Sequence, residues 1–177
     1  RELIERGDKV RLLARGEVAA DLFGGPVEVI RGELNDEAVV RDSVQGVDNV
    51  FHLAAKLHVN EPSAGLSDEY RSVNVEGTRR LLHAAASAGV GKFVFFSTIN
   101  VYGPGRQGKV FDENDELQPE GIYAETKAEA ERDVLSARNS NGDRFGVVLR
   151  LAAVYGSRMK GNYVRLARAV ERRRFLF

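Results

Sequence analysis

Cysteine is absent from the chain, which excludes disulfides, thiolate catalysis and cysteine-bound metals together. Histidine is scarce: only His52, His58 and His83 occur, with no H-x-x-x-H or H-E-x-x-H spacing to hold a metal ion. Charge of one sign is also lacking. The 26 Lys and Arg residues balance the 26 Asp and Glu residues, so no basic excess is available to attract nucleic acid. No apolar run approaches the ~20 residues that a membrane span requires, so no membrane partner is expected. Repeats and low-complexity tracts are absent. The chain opens RELIERGDKV, with neither an initiator Met nor an apolar leader, and the simplest expectation is a cytoplasmic protein.

What remains is enough for one domain. The chain has 177 residues, of which 43% are hydrophobic. Short apolar runs at 9–14, 27–30, 49–55, 92–98 and 144–152 read as strands. Several lack polar alternation, as expected for strands covered on both faces. Helical spacing fills the intervals at 36–44, 66–88, 121–138 and 161–174, with Gly89 placed to stop the second of these. Strands alternating with helices imply a parallel sheet with right-handed crossovers. One long irregular segment, about 99–120, holds Gly103, Pro104, Gly105, Gly108 and Pro119; a loop of that length in a compact domain points to function or disorder.

The chemistry concentrates in GIYAETKAEAE, residues 121–131. Tyr123 and Lys127 lie one helical turn apart, in line with Ala130 and Val134, while Glu125, Glu129 and Arg132 point elsewhere. If that stripe faces inward, a phenol and an ammonium are held where charge is costly without a task. A phenol titrates near 10, and a neighbouring cation favours phenolate, which brings proton transfer within reach at neutral pH. Ser97 and Thr98, at the carboxyl end of the 92–98 strand, could hold a substrate oxygen against that phenol. Ligands of open parallel sheets bind at this edge.

STINVYG at 97–103, followed by YAETK at 123–127, resembles the extended short-chain dehydrogenase/reductases, the NAD-dependent epimerase/dehydratase group. The blocks GELNDEAVVRDSVQGVDNVFHLAA, NVEGTRRLLHAAASAGVGKFVFFSTINVYG, YAETKAEAE and LRLAAVYG follow in that family's order. The resemblance implies a Rossmann-like, doubly wound α/β fold. It makes Tyr123 the general acid/base. Lys127 would bond the nicotinamide ribose and lower the tyrosine's pKa, and Thr98, with Ser97 beside it, would orient the substrate oxygen. It places Leu53, Ala54 and Ala55 beside the cofactor's pyrophosphate and ribose, Glu33 and Leu34 beside the adenine, and Asn74 near the active-site water network. The family's pairing mode implies a homodimer through helices 66–88 and 121–138.

Several departures qualify this picture. The family's G-x-x-G-x-x-G phosphate loop has no counterpart. The chain therefore reads as an internal fragment: residues 1–177 form one partial dinucleotide-binding domain, with 152–177 beginning the substrate-binding region. It should lack the first β-α unit of its sheet, which would leave an apolar slot with unpaired backbone groups. NAD-preferring members end their second strand on an acidic residue. Here Ala14 and Arg15 occupy that place, so the expected cofactor is NAD or NADP. Leu151 and Ala153 replace a proline and an asparagine common in sugar-nucleotide members, which weakens a specific nucleotide-sugar assignment. The expected substrate is a small molecule, with a nucleotide sugar the leading class. A hydroxysteroid- or dihydroflavonol-type reductase and a non-catalytic NAD(P)-binding redox sensor are the alternatives. His52 reads as a buried, satisfied core histidine, the 172–175 RRRF cluster as a solvated helix end, and Glu113 as a loop acid near the site.

Overall fold

The computed structural model of the chain describes residues 1–19, 21–57, 65–105, 107–156, 162–172 and 174; His58 lies outside them. A short helix α1 (Glu2–Glu5) leads into β1 (Arg11–Ala14), which pairs in parallel with β2 (Glu28–Arg31), Arg11 opposite Glu28. Helix α2 (Glu37–Ser43) follows. Its start is fixed by Asp36, whose carboxylate accepts the backbone N–H groups of Ala38 and Val39 at 3.0 and 3.1 Å. That cap satisfies two of the orphan donors at a helix N-terminus.

A second sheet is built from β3 (Asn49–His52), β4 (Lys92–Thr98) and β5 (Gly146–Leu151), all parallel, with β4 central. Between β3 and β4 runs one continuous helical rod of three parts: α3 (Leu66–Tyr70), a π-helical stretch (Arg71–Glu76) and α4 (Gly77–Ser87). The sequence periodicity predicts this rod but not its wider middle, because a π stretch needs only one extra residue in an otherwise regular pattern. A 3₁₀ turn (Ile99–Tyr102) leaves β4. Helix α5 (Ile122–Ser136) precedes β5, and α6 (Asn162–Glu171) follows it.

Helices α2, α4 and α5 share one core with a single face of β4. Val40 and Val44, Leu81, Leu82 and Ala85, and Ala130 and Val134 close over Phe93 and Phe95, both of which are fully buried. The opposite face is only partly covered within this chain: Phe51 is 48% and Leu149 39% exposed. The unalternating apolar runs thus expect cover on two faces, while these helices supply it on one. Gly146 sets the depth of the α5–β5 contact, since a Cβ there would lie 2.1 Å from the carbonyl oxygen of Val134. No side chain fits between strand and helix at that point.

Among the described residues the two sheets are not hydrogen-bonded to each other. β1 and β3, each an edge strand, line opposite parts of a cleft of about 1820 Å³. The core of α2 and α4 spans the two halves, and Arg11 ties them further by donating to the Gln45 and Ser43 carbonyls at 2.6 and 3.3 Å. Among the described residues no helix is long and apolar enough to cross a membrane.

Candidate active site

Helix α5 carries Tyr123 and Lys127 onto the carboxyl half of β4. The chain reaches α5 by a return that is pinned at its base: Gln118 N–H donates to the Val101 carbonyl at 3.0 Å. Gly103, at φ +78°, permits this close return, because a Cβ there would sit 2.2 Å from the Gln118 carbonyl oxygen. The stripe of Tyr123, Lys127, Ala130 and Val134 does face inward. Tyr123 is half-buried and the other three are buried.

Lys127 is 1% exposed, and its Nζ lies 3.8 Å from the centroid of the Phe95 ring. The ring face partly replaces lost water for the cation. Burial pushes the ammonium down to about 8, with Glu131 acting in the opposite direction. Tyr123 does not follow the expectation of a lowered pKa. Burial pushes its phenol above the usual value, and the neighbouring Tyr70 adds to the rise. The physical reason is that desolvation opposes phenolate at this position, while the Lys127 charge sits over the Phe95 ring.

At the end of β4, Thr98 is half-buried, and its Oγ1 accepts the Asn100 N–H at 3.2 Å. Ser97 alternates to the same side as Phe95 and is buried, with its hydroxyl oxygen lacking a hydrogen-bond partner. Asn74 is buried in the π stretch, where it clamps two pieces of the site. Its Oδ1 accepts the Lys56 N–H at 2.7 Å, and its amide donates to Thr126 Oγ1 at 3.1 Å. It thereby ties the segment after β3 to the first turns of α5.

His52 is buried between Phe93 and Phe95, with Nε2 2.9 Å from Thr78 Oγ1. Thr78 donates its only proton to the Asn74 carbonyl at 2.7 Å, so the imidazole Nε2 is the donor toward it. Burial, helped by the Lys127 charge, pushes His52 down to about 3, so the ring is neutral at physiological pH.

Arg15, Glu33, Leu34, Leu53, Ala54 and Ala55, all candidate cofactor contacts, line the cleft between the sheets. Leu53 is 64% exposed there, an apolar surface of the kind an adenine or ribose would cover. The donor set suits the nucleoside part of a dinucleotide: an acidic side chain, a cation and an apolar floor. Asn74, Tyr123, Lys127 and Thr98 lie outside that lining, on α5, the π stretch and the end of β4. The helices expected to pair copies of the chain are joined to each other within it. Arg79 on α4 bonds Asp133 at 2.8 Å and Glu129 at 3.1 Å, and Arg71 bonds Glu129 at 3.0 Å. Glu113 enters through its backbone, its carbonyl accepting from Arg150 at 3.3 Å.

A parallel α/β unit, with an open cleft between its two sheets and an inward phenol and lysine on one helix, defines a partial Rossmann-type fold. The model of the NAD-dependent epimerase/dehydratase family matches residues 1–174, and the chain belongs to that family. It is 34% identical over 164 residues to a 3β-hydroxysteroid dehydrogenase/Δ5→4-isomerase of Mycobacterium tuberculosis, covering 88% of this chain and 43% of that protein. It is 41% identical over 130 residues to mouse dTDP-D-glucose 4,6-dehydratase, covering 72% and 36%. Among solved structures, MoeE5 in complex with UDP-glucuronic acid and NAD superposes with a TM-score of 0.78 at 36% identity, covering 95% of this chain and 55% of that one. The chain spans under half the length of these two curated relatives.

Proposed function

We propose that the full-length protein is an NAD(P)-dependent oxidoreductase of the epimerase/dehydratase type, acting on a hydroxyl of a nucleotide-sugar-like substrate. The observation that carries this reading is Lys127, buried one turn from Tyr123 on the helix that packs against the carboxyl end of β4. A nicotinamide cofactor, when bound, would supply hydride acceptance or donation at the carbinol carbon. Tyr123 takes or gives the hydroxyl proton at its phenolic oxygen, and its raised pKa favours the protonated, proton-giving form at neutral pH. Thr98 orients the substrate oxygen. Lys127 would hold positive charge on the same helical face as the phenol and would bond the nicotinamide ribose.

The cleft residues Arg15, Glu33, Leu34, Leu53, Ala54 and Ala55 would hold the nucleoside end of the cofactor. Arg15 is exposed where β1 ends, as a 2′-phosphate contact requires. Replacing Arg15 by Ala should therefore weaken NADPH binding by about tenfold and leave NADH binding unchanged, read by titrating cofactor fluorescence in the full-length protein. Equal affinities that both ignore the substitution would make Arg15 a solvated loop cation.

A second reading, a hydroxysteroid-type reductase in which hydride transfer is the whole reaction, is favoured by the likeness to the mycobacterial enzyme along 88% of the chain. Turnover by the full-length protein of UDP- and dTDP-sugars against 3β-hydroxysteroids separates the two. Activity on steroids alone would overturn the sugar assignment. Cofactor binding with no turnover of either would favour a redox sensor. Pairing of two copies through the α4 and α5 surfaces belongs to the same proposal.

A further inference from the structure

Glu131 plays no part in the chemistry described so far, yet it is 1% exposed. It lies one helical turn beyond Lys127 on the same buried face of α5. Arg150, on β5, approaches it with Nε at 3.0 Å and Nη2 at 2.9 Å, and both contacts fall on Oε2. A guanidinium fork ordinarily takes both carboxylate oxygens. Here Oε1 is left buried without a hydrogen-bond partner. The third nitrogen of Arg150, Nη1, turns away to donate to the Tyr102 hydroxyl at 2.7 Å, and that hydroxyl donates to the Asp112 carbonyl at 2.8 Å. Arg150 is thus fully committed on its far side, and one side of the Glu131 charge remains open.

We propose that Glu131, held in place by Arg150, is a positioning residue for Lys127: its unshared oxygen is the counter-charge that keeps the buried lysine protonated and over the Phe95 ring. The inference rests on the reading of Tyr123 and Lys127 as the reacting pair. A cation with 1% exposure cannot rely on water, and a ring face alone is a weak substitute. The remaining groups around Lys127 do not supply a negative charge. On its own helix, Tyr123 keeps its proton across the neutral range. On β3, His52 is neutral above about 3. On β4, Lys92 stands exposed at the far end of the strand. On β5, Arg150 is a cation. Tyr70 on α3 donates to the Leu57 carbonyl, and Tyr102 in the 3₁₀ turn serves Arg150. Arg71 and Glu76 of the π stretch and Arg79 of α4 are occupied with one another or with Glu129 and Asp133.

The test is the titration of the Lys127 ammonium itself, followed by NMR in the full-length protein with isotopically labelled lysine. K127R assigns the signal. The wild-type midpoint is expected near 8. Glu131→Gln should lower it by about one pH unit or more, because the counter-charge is removed while the burial stays. Arg150→Gln should move it the other way, because the Glu131 charge is no longer offset. Shifts of opposite sign support the proposal. A carboxylate that merely ties helix to strand would lower thermal stability in both variants and move the midpoint in neither, and that outcome overturns it. If Glu131→Gln does not fold, the Arg150→Gln shift decides alone, a static midpoint counting against. The titration reads no turnover, so it can succeed or fail independently of the enzymatic reading, which Tyr123→Phe tests.

Discussion

Replacing Tyr123 by Phe in the full-length protein should lower turnover by ~10²–10⁴-fold and leave nicotinamide cofactor affinity within about twofold of wild type. The ring stays and only the hydroxyl goes, so packing against the half-buried site is retained. In the proposed chemistry the effect is large because the phenolic oxygen is the group that takes or gives the hydroxyl proton. No other group considered around Lys127 can take over. His52 is neutral, but its Nε2 is engaged by Thr78. Steady-state kinetics and a cofactor titration on the same preparation check both halves of the claim. Turnover that survives the substitution removes Tyr123 from the chemistry.

Acid should destabilise the fold through His52. Its folded-state pKa, about 3, lies below the ordinary histidine value, so the folded ring resists a proton that the unfolded chain accepts. Above pH 6.5 neither state binds that proton and the full stability is present. As the pH falls from about 6.5 toward 3, the unfolded state gains protons first. Stability then drops by about 1.4 kcal/mol per pH unit, on the order of 4 kcal/mol over the window. Urea midpoints at pH 7 and pH 4.5 measure the slope. His52→Gln, which keeps a donor toward Thr78, should flatten it. An equal slope in the variant would assign the acid sensitivity to carboxylates instead.

Much of the fold was legible because its signals are local. Phe93, Phe95 and Phe96 crowd a run of seven residues that pairs on both sides, and a segment of that composition has few other conformations open to it. The 66–88 rod and the 121–138 helix, observed as Ile122–Ser136, announce themselves by spacing. The inward line of Tyr123 and Lys127 follows from the same geometry. What was not legible depends on partners distant in the chain. Glu131 looks like one more surface acid in an acidic helix until Arg150, 19 residues away, comes to meet it. The direction of the Tyr123 shift depends on how much water the fold removes, and a motif carries no measure of that. Asn74 could be placed near the site by resemblance, but its clamp between Lys56 and Thr126 appears only when three segments are assembled.

The widened turn at Arg71–Glu76 has a mechanical consequence for everything after it. One extra residue in a helix rotates the downstream half by about 100° relative to a regular rod. Within the bulge, the rod directs Asn74 toward the lysine-bearing helix; downstream, it directs Leu81, Leu82 and Ala85 into the apolar interior. The bulge is therefore a phase adjuster, letting one cylinder serve two targets at different azimuths. Deleting a single residue there would straighten the rod and force a choice between seating the interior and bracing the lysine-bearing helix.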